Sequence, residues 1–389
     1  MAFRNLLFFS FFSIFLLQLQ PSISQTTVKA AYWFPASEFP VSDINSALFT
    51  HLLCAFAALD PQSNQLIIPT SSQATFASFT TTVQQKNPSV QTLLSIGGGR
   101  SDPSAFASMA SQPTSRKSFI DSSIRLARAN GFRGLDLDWE YPQTAQQMLN
   151  LGTLFDEWRA AVVSESQSSG RPQLLLTAAV HFSANRDSLS YPVQSIGRNL
   201  DWVNVMAYDF KGPGWSGDST GAPAALYNPS SRFSGSAGID VWIGAGLSAK
   251  KMVLGLPFYG YAWKLVDPNQ NGLGAPASGR ATEQGVASHG SISYWQIKAF
   301  VGRSGATWVY DPTVVTDYCY AGSTWMGFDG VRSVAAKVSY AQSKGLLGYF
   351  AWSVSGDSNW ELSQQASGTW DGLNLSAKTT SAREMQAVI

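Results

Sequence analysis

Eight short strand-like apolar runs alternate with helix-like stretches along this chain, and that alternation constrains the fold more than any other feature. The runs fall at residues 28–34, 52–59, 91–96, 134–139, 174–180, 202–206, 252–256 and 346–352. Helical periods separate them, for example over 115–130 and 145–165. Strands that alternate with helices pair in parallel, and eight such units close into a (β/α)8 TIM barrel. The 389-residue length suits one large barrel. The interval between strands 7 and 8 is too long for one helix. Residues 258–330 are rich in Tyr, Trp, Gly and Ser, with hairpin-like runs such as 307–310, and predict a small α+β insertion. No internal repeat is evident.

The fourth run carries an unusual pattern. From Gly134 to Tyr141 the sequence reads Gly-Leu-Asp-Leu-Asp-Trp-Glu-Tyr, with Asp136, Asp138 and Glu140 at alternate positions. On a strand, alternate residues share a face about 6.6 Å apart. Leu135, Leu137 and Trp139 would bury one side and the three carboxyls would stack on the other. Stacked carboxylates repel and are costly to desolvate unless a proton is held among them, which raises the pKa of one member. A carboxylic acid kept protonated near neutral pH is what glycosidic bond cleavage needs. Two other readings of the spacing are open: acids pointing into water, or three ligands for a divalent cation. Against the metal, no His or further carboxylate lies near in sequence, and the chain has only three His.

The carboxyl ends of barrel strands carry the chemistry in this architecture. Here the first ends in Tyr32-Trp33-Phe34, the third in Gly97-Gly98-Gly99, the fourth in Glu140, the sixth in Met206-Ala207-Tyr208-Asp209 and the eighth in Trp352. The glycines would let backbone approach a ligand closely. Any one of these residues is explained by packing; all of them at one rim are not.

The N-terminus reads as a secretory signal over residues 1–24. Arg4 precedes an apolar run from Leu6 to Leu19 that is short for a membrane span, and Ser22-Ile23-Ser24 offers small residues for cleavage before Gln25. Loss of Arg4 leaves 25 basic against 25 acidic residues, with no basic patch for nucleic acid. The expectation is a secreted or vacuolar monomer without a membrane anchor. Charged residues are 13% and aromatics 13% of the chain. That balance fits a surface that stacks on sugar rings, and equally a large core with spare aromatics. Cys54 and Cys319 are expected as two buried thiols rather than a disulfide. A usable glycosylation sequon stands at Asn374, whereas those at Asn87 and Asn228 have Pro in the middle. Residues 374–389 read as a polar, disordered tail.

Taken together, the motifs resemble glycoside hydrolase family 18, the chitinases. The Gly134–Glu140 stretch looks like that family's signature. Ser95-Ile96-Gly97-Gly98, Met206-Ala207-Tyr208-Asp209 and Gly348-Tyr349-Phe350-Ala351-Trp352 look like three further motifs. Tyr32-Trp33-Phe34-Pro35 and Asp317-Tyr318-Cys319-Tyr320 look like the plant class V chitinases in particular. The resemblance covers essentially all of residues 25–373. It implies a secreted hydrolase of β-1,4-linked N-acetylglucosamine polymers that needs no cofactor and no metal, with chitin and its oligomers as partners.

The resemblance also implies a retaining route in which the substrate's own 2-acetamido group is the nucleophile. Glu140 would be the general acid. Asp138 would accept the acetamido N–H, and Asp136 would share a proton with Asp138 and let it turn towards Glu140. Tyr208 would hold the acetamido group in attack geometry. Met206 and Asp209 would line the pocket, with Trp352 as the floor under the sugar. Tyr32, Phe56, Gly98, Gly99, Ala179 and Tyr259 would be subsite walls. Four positions depart from the commoner pattern: Arg133 in place of Asp, Gly99 in place of Trp, Phe328-Asp329-Gly330 in place of Tyr-Asp-Asp, and Ser353 in place of His. The last two bear on substrate preference or rate. Two rival functions keep the groove: a chitin-binding lectin, and a hydrolase of lipochitooligosaccharide signals.

Overall fold

The computed structural model describes residues 27–35 and 39–372; the signal segment, the Asn374 sequon and the tail lie outside them. Eight parallel strands close a barrel: β1 (Val28–Trp33), β2 (His51–Leu59), β3 (Gln91–Gly97), β4 (Gly134–Asp138), β5 (Leu175–His181), β6 (Trp202–Met206), β7 (Met252–Pro257) and β8 (Gly348–Trp352). Each pairs with its sequence neighbour, and β1 pairs with both β2 and β8, so no edge is left open. Every strand limit lies within two residues of the sequence expectation.

Side chains of the barrel strands divide into two apolar layers, as period-2 alternation requires. Ala30, Tyr32, Leu53, Ala55, Leu93, Ala179, Met206 and Phe350 fill the interior. Leu52, Cys54, Leu94, Leu135, Leu137, Leu176, Val203 and Leu254 face the surrounding helices. In β4 the leucines therefore point outward and Asp136 and Asp138 inward. Helix starts follow local chemistry. Asp102 accepts from Ser104 N–H at 2.8 Å with Pro103 in the first turn, and Thr144 accepts from Gln147 N–H at 3.1 Å. The helix Ala145–Ser169 ends at Gly170 with φ of 67°, four residues beyond the expected end.

Between β7 and β8 an antiparallel sheet of six strands is folded with the helix Tyr294–Ser304. Tyr259–Leu265 leaves directly from β7 and pairs with Thr324–Phe328. The Phe328-Asp329-Gly330 departure sits at the joint of this sheet with the helix Val331–Ser343. Phe328 packs on Trp308 with ring centroids 4.7 Å apart, and Asp329 forms a buried ion pair with Lys337, which also donates to the Ala224 carbonyl. Burial pushes the Asp329 carboxyl up to about 6 despite that cation. Phe328 and Asp329 are thus held by packing against neighbouring elements. Cys54 and Cys319 are both free and buried.

Candidate active site

Four donors from four strands converge on Asp136 in the barrel interior. Tyr32 Oη lies 2.8 Å and Ser95 Oγ 2.7 Å from Oδ2; Thr177 Oγ1 lies 2.6 Å and Asn204 Nδ2 3.2 Å from Oδ1. Asn204 also donates to Tyr32 Oη at 2.9 Å and is itself held by Trp202 Nε1 at 3.0 Å. Asp136 is fully buried, and burial raises its pKa while the four hydrogen bonds oppose the rise. Such a nest accommodates a carboxylate that only accepts.

One turn of the pleat higher, Asp138 hydrogen-bonds to Glu140, turned towards the mouth of the barrel. Burial first, then the charges of Glu140 and Asp136, hold the Asp138 carboxyl well above the usual range. Its Oδ1 is buried without a partner. Glu140 is also raised, chiefly by burial and further by the nearby Asp209, while hydrogen bonds from Tyr141 and Asp138 pull it down. Burial and mutual charge thus favour the protonated form of this pair at the mouth of the barrel.

The glycines after β3 have two different causes. An added Cβ would lie 2.3 Å from the Asp138 carbonyl at Gly97 and 2.6 Å from the Phe56 ring at Gly98, and both residues have positive φ. Gly98 N–H donates to the Asp138 carbonyl at 2.8 Å. These two therefore let β3, β4 and Phe56 pack closely. Only Gly99 faces the acid, with its added Cβ 3.0 Å from Glu140 Oε1.

Around this pair the rim is aromatic. Tyr32, Ala179 and Met206 are buried in the interior cluster, with Phe34, Phe56, Tyr141, Tyr208 and Trp352 packed over it. Trp352 stacks on Phe34 (5.6 Å, 7°) and touches Phe56 (5.7 Å) and Tyr32 (5.4 Å). Tyr208 stands edge-on to Tyr259 and Phe350, and the surrounding carboxyls Asp138, Asp209, Glu140 and Asp136 add to burial in raising its pKa. Asp209, at φ of 61°, accepts from Tyr259 Oη at 2.6 Å and Tyr261 Oη at 2.9 Å. Trp215, 52% exposed, stands edge-on to Tyr261 at 5.1 Å. Every site residue expected from the sequence lies in this one assembly. Among the described residues, no group of His, Cys, Asp and Glu is arranged to hold a metal ion.

Several members escaped the sequence reading. Ser95, Thr177 and Asn204 each stand two residues before an inward-facing Gly97, Ala179 or Met206, so extending the period inward along each strand locates them. Tyr141 adjoins the acid in sequence. Tyr261 alternates with Tyr259. Trp215 carries no pattern of its own.

A closed barrel whose C-terminal rim pairs a buried carboxyl with a half-buried one, both with raised pKa, ringed by aromatic faces, defines a glycoside hydrolase. The model of glycosyl hydrolases family 18 matches residues 25–357, and the chain belongs to that family. It is 58% identical over 366 residues to a class V chitinase of Arabidopsis thaliana, covering 94% of this chain and 95% of that protein. A crystal structure of a class V chitinase variant from Nicotiana tobaccum in complex with NAG4 superposes with a TM-score of 0.87 at 56% identity, covering 89% of this chain and 99% of that one. The chitinase-like agglutinin RobpsCRA from Robinia pseudoacacia superposes with a TM-score of 0.82 at 49% identity, covering 88% and 99%.

Proposed function

We propose that the protein is a chitinase that cleaves β-1,4-linked N-acetylglucosamine chains with retention, using the substrate's acetamido group as nucleophile and Glu140 as acid and base. The observation that carries this reading is the hydrogen-bonded Asp138–Glu140 pair. A second carboxylate acting as nucleophile must be ionised and free to reach the anomeric carbon. Asp138 holds a proton against Glu140, and Asp136 is buried with four donors on its oxygens. That arrangement fits an attacking oxygen supplied by the sugar, as the family resemblance implies.

In this reading the proton that Asp138 shares with Glu140 passes to Glu140 and from it to the glycosidic oxygen as the C1–O bond breaks, which leaves Asp138 ionised. The acetamido carbonyl oxygen bonds to C1 and forms an oxazolinium ion. Asp138 Oδ1, buried and unpartnered, accepts the acetamido N–H and offsets the positive charge. The Tyr208 hydroxyl orients the acetamido group. Water then attacks C1 and gives its proton to the Glu140 carboxylate, restoring the acid and leaving a β-anomer. Trp352 supports the sugar face from below. The presence of Glu140, Asp138 and Tyr208 favours catalysis over binding alone.

Replacing Glu140 with Gln is expected to lower turnover of N-acetylglucosamine hexamer by at least about 10² to 10⁴ while oligomer binding survives. Glucosamine hexamer, which lacks the carbonyl, is expected to resist cleavage. Near-normal turnover by Glu140→Gln, or an initial α-anomer from the parent, defeats the mechanism. We also read the enzyme as a secreted monomer from its sequence alone; N-terminal sequencing of the mature protein is expected to begin at Gln25.

A further inference from the structure

We propose that Arg186 is a positioning residue for this reaction, its guanidinium seated on the Tyr141 ring so as to strengthen the hydroxyl that Tyr141 presents to Glu140. The inference rests on the reading of Glu140 as the acid. Arg186 belongs to a two-stranded hairpin, Asn185–Arg186 with Leu189–Ser190, that follows β5 and turns through Asp187 at φ of 55°. The hairpin brings Arg186 Cζ to 4.8 Å from the Tyr141 ring centroid. The ring is also fixed by His181, edge-on at 5.6 Å and 90°. Tyr141 in turn hydrogen-bonds to Glu140, which follows β4 directly.

The groups facing Tyr141 are Arg186, His181, Tyr191, Tyr208, Asp138 and Glu140. Burial and the Arg186 charge lower the pKa of His181, so of the two cationic groups at this ring Arg186 is the one that stays charged throughout. Its ion partner, Asp187 at 3.7 Å, is 80% exposed and gives little competition through solvent. A cation over a phenol ring stabilises negative charge developing on it and makes the O–H a better donor. A better donor stabilises Glu140 as carboxylate, the state it reaches once its proton has moved to the leaving oxygen. Asp209 and burial push Glu140 the other way. Arg186 and Tyr141 thus set how readily the acid gives up its proton.

The test is the pH profile of kcat and kcat/KM on N-acetylglucosamine hexamer for Arg186→Met, Arg186→Lys, Tyr141→Phe and the Met–Phe double variant, each checked for folding by thermal melting. Arg186→Met is expected to move the upper limb to higher pH by about 0.3–0.5 unit and to lower kcat roughly twofold to fivefold, with KM little changed. Arg186→Lys restores most of both, and the double variant behaves as Tyr141→Phe alone. An unmoved limb in Arg186→Met overturns the proposal. So does an Arg186→Met effect undiminished in the Tyr141→Phe background, or a change in KM only, which would make Arg186 a substrate contact. If Arg186→Met behaves as the parent while Glu140→Gln is inactive, this inference fails and the mechanism stands; an active Glu140→Gln removes both.

Discussion

The Tyr32 hydroxyl lies 2.8 Å from Asp136 Oδ2, joining β1 to β4 through the barrel interior across 104 residues of sequence. The same hydroxyl accepts from Asn204 Nδ2, so it closes a ring of three side chains. Tyr32→Phe removes a hydrogen bond to a buried carboxylate and leaves an Asn204 donor short of an acceptor. A loss of about 1.5–3 kcal/mol in unfolding free energy is expected. Urea denaturation of the parent and variant checks it; a loss within a few tenths would mean the ring carries no strain-free stabilisation.

Asp138 should work against the fold at neutral pH. Its pKa in the folded protein is raised above that of the unfolded chain, so the folded state binds the proton more tightly. The stability this gives is full below the ordinary carboxylate range and is lost as pH rises through the folded value. Asp138→Asn removes that penalty. The variant is therefore expected to melt higher than the parent at pH 7, with the gap narrowing at pH 4, and to lose most activity. A gap that widens on acidification contradicts the assigned protonation.

Glycine positions 98 and 99 should respond in opposite ways. Gly98→Ala must fit a Cβ 2.6 Å from Phe56 at positive φ, and is expected to cost about 1–3 kcal/mol of stability. Gly99→Ala meets only the Glu140 carboxyl, 3.0 Å away, and should melt within about 1 kcal/mol of the parent while turnover falls. Paired melting and hexamer assays separate the two effects.

The barrel was legible because eight apolar runs at regular spacing leave few alternatives, and the inward carboxyls because Leu135 and Leu137 fix the phase of β4. Register was not. Nothing local in Ser95, Thr177 or Asn204 marks them as partners of Asp136; the meeting follows from barrel closure, which sets which layer each strand contributes. Alternation puts Asp136 and Glu140 equally close along the strand, and only the four cross-barrel donors on Asp136 tip Asp138 outward. Phe328-Asp329-Gly330 stands out only as a departure from the family's Tyr-Asp-Asp; its packing on Trp308 and its ion pair with Lys337 are tertiary contacts that no local pattern marks.

The last prediction contrasts the two tryptophans of the rim. Trp352 is half-buried on Tyr32, Phe34 and Phe56, so Trp352→Ala removes packing as well as a sugar-facing surface. A stability cost of about 1.5–3 kcal/mol is expected, below that of a fully buried tryptophan, together with weaker hexamer binding. Trp215 is 52% exposed and its indole touches Tyr261 edge-on, one hydrogen bond from Asp209. Its truncation opens no cavity, so melting should stay within about 0.5 kcal/mol of the parent. If the indole is a platform for a sugar beyond the acid, removing it should cost on the order of 1 kcal/mol of hexamer affinity, roughly fivefold in Kd, and less for a dimer too short to span both tryptophans. Calorimetric titration of hexamer and dimer against Trp215→Ala and Trp352→Ala, each in the Glu140→Gln background to prevent turnover, reads both effects. Equal losses for dimer and hexamer in Trp215→Ala would place that indole next to the acid rather than further along the groove, and no loss for either would leave it a surface residue.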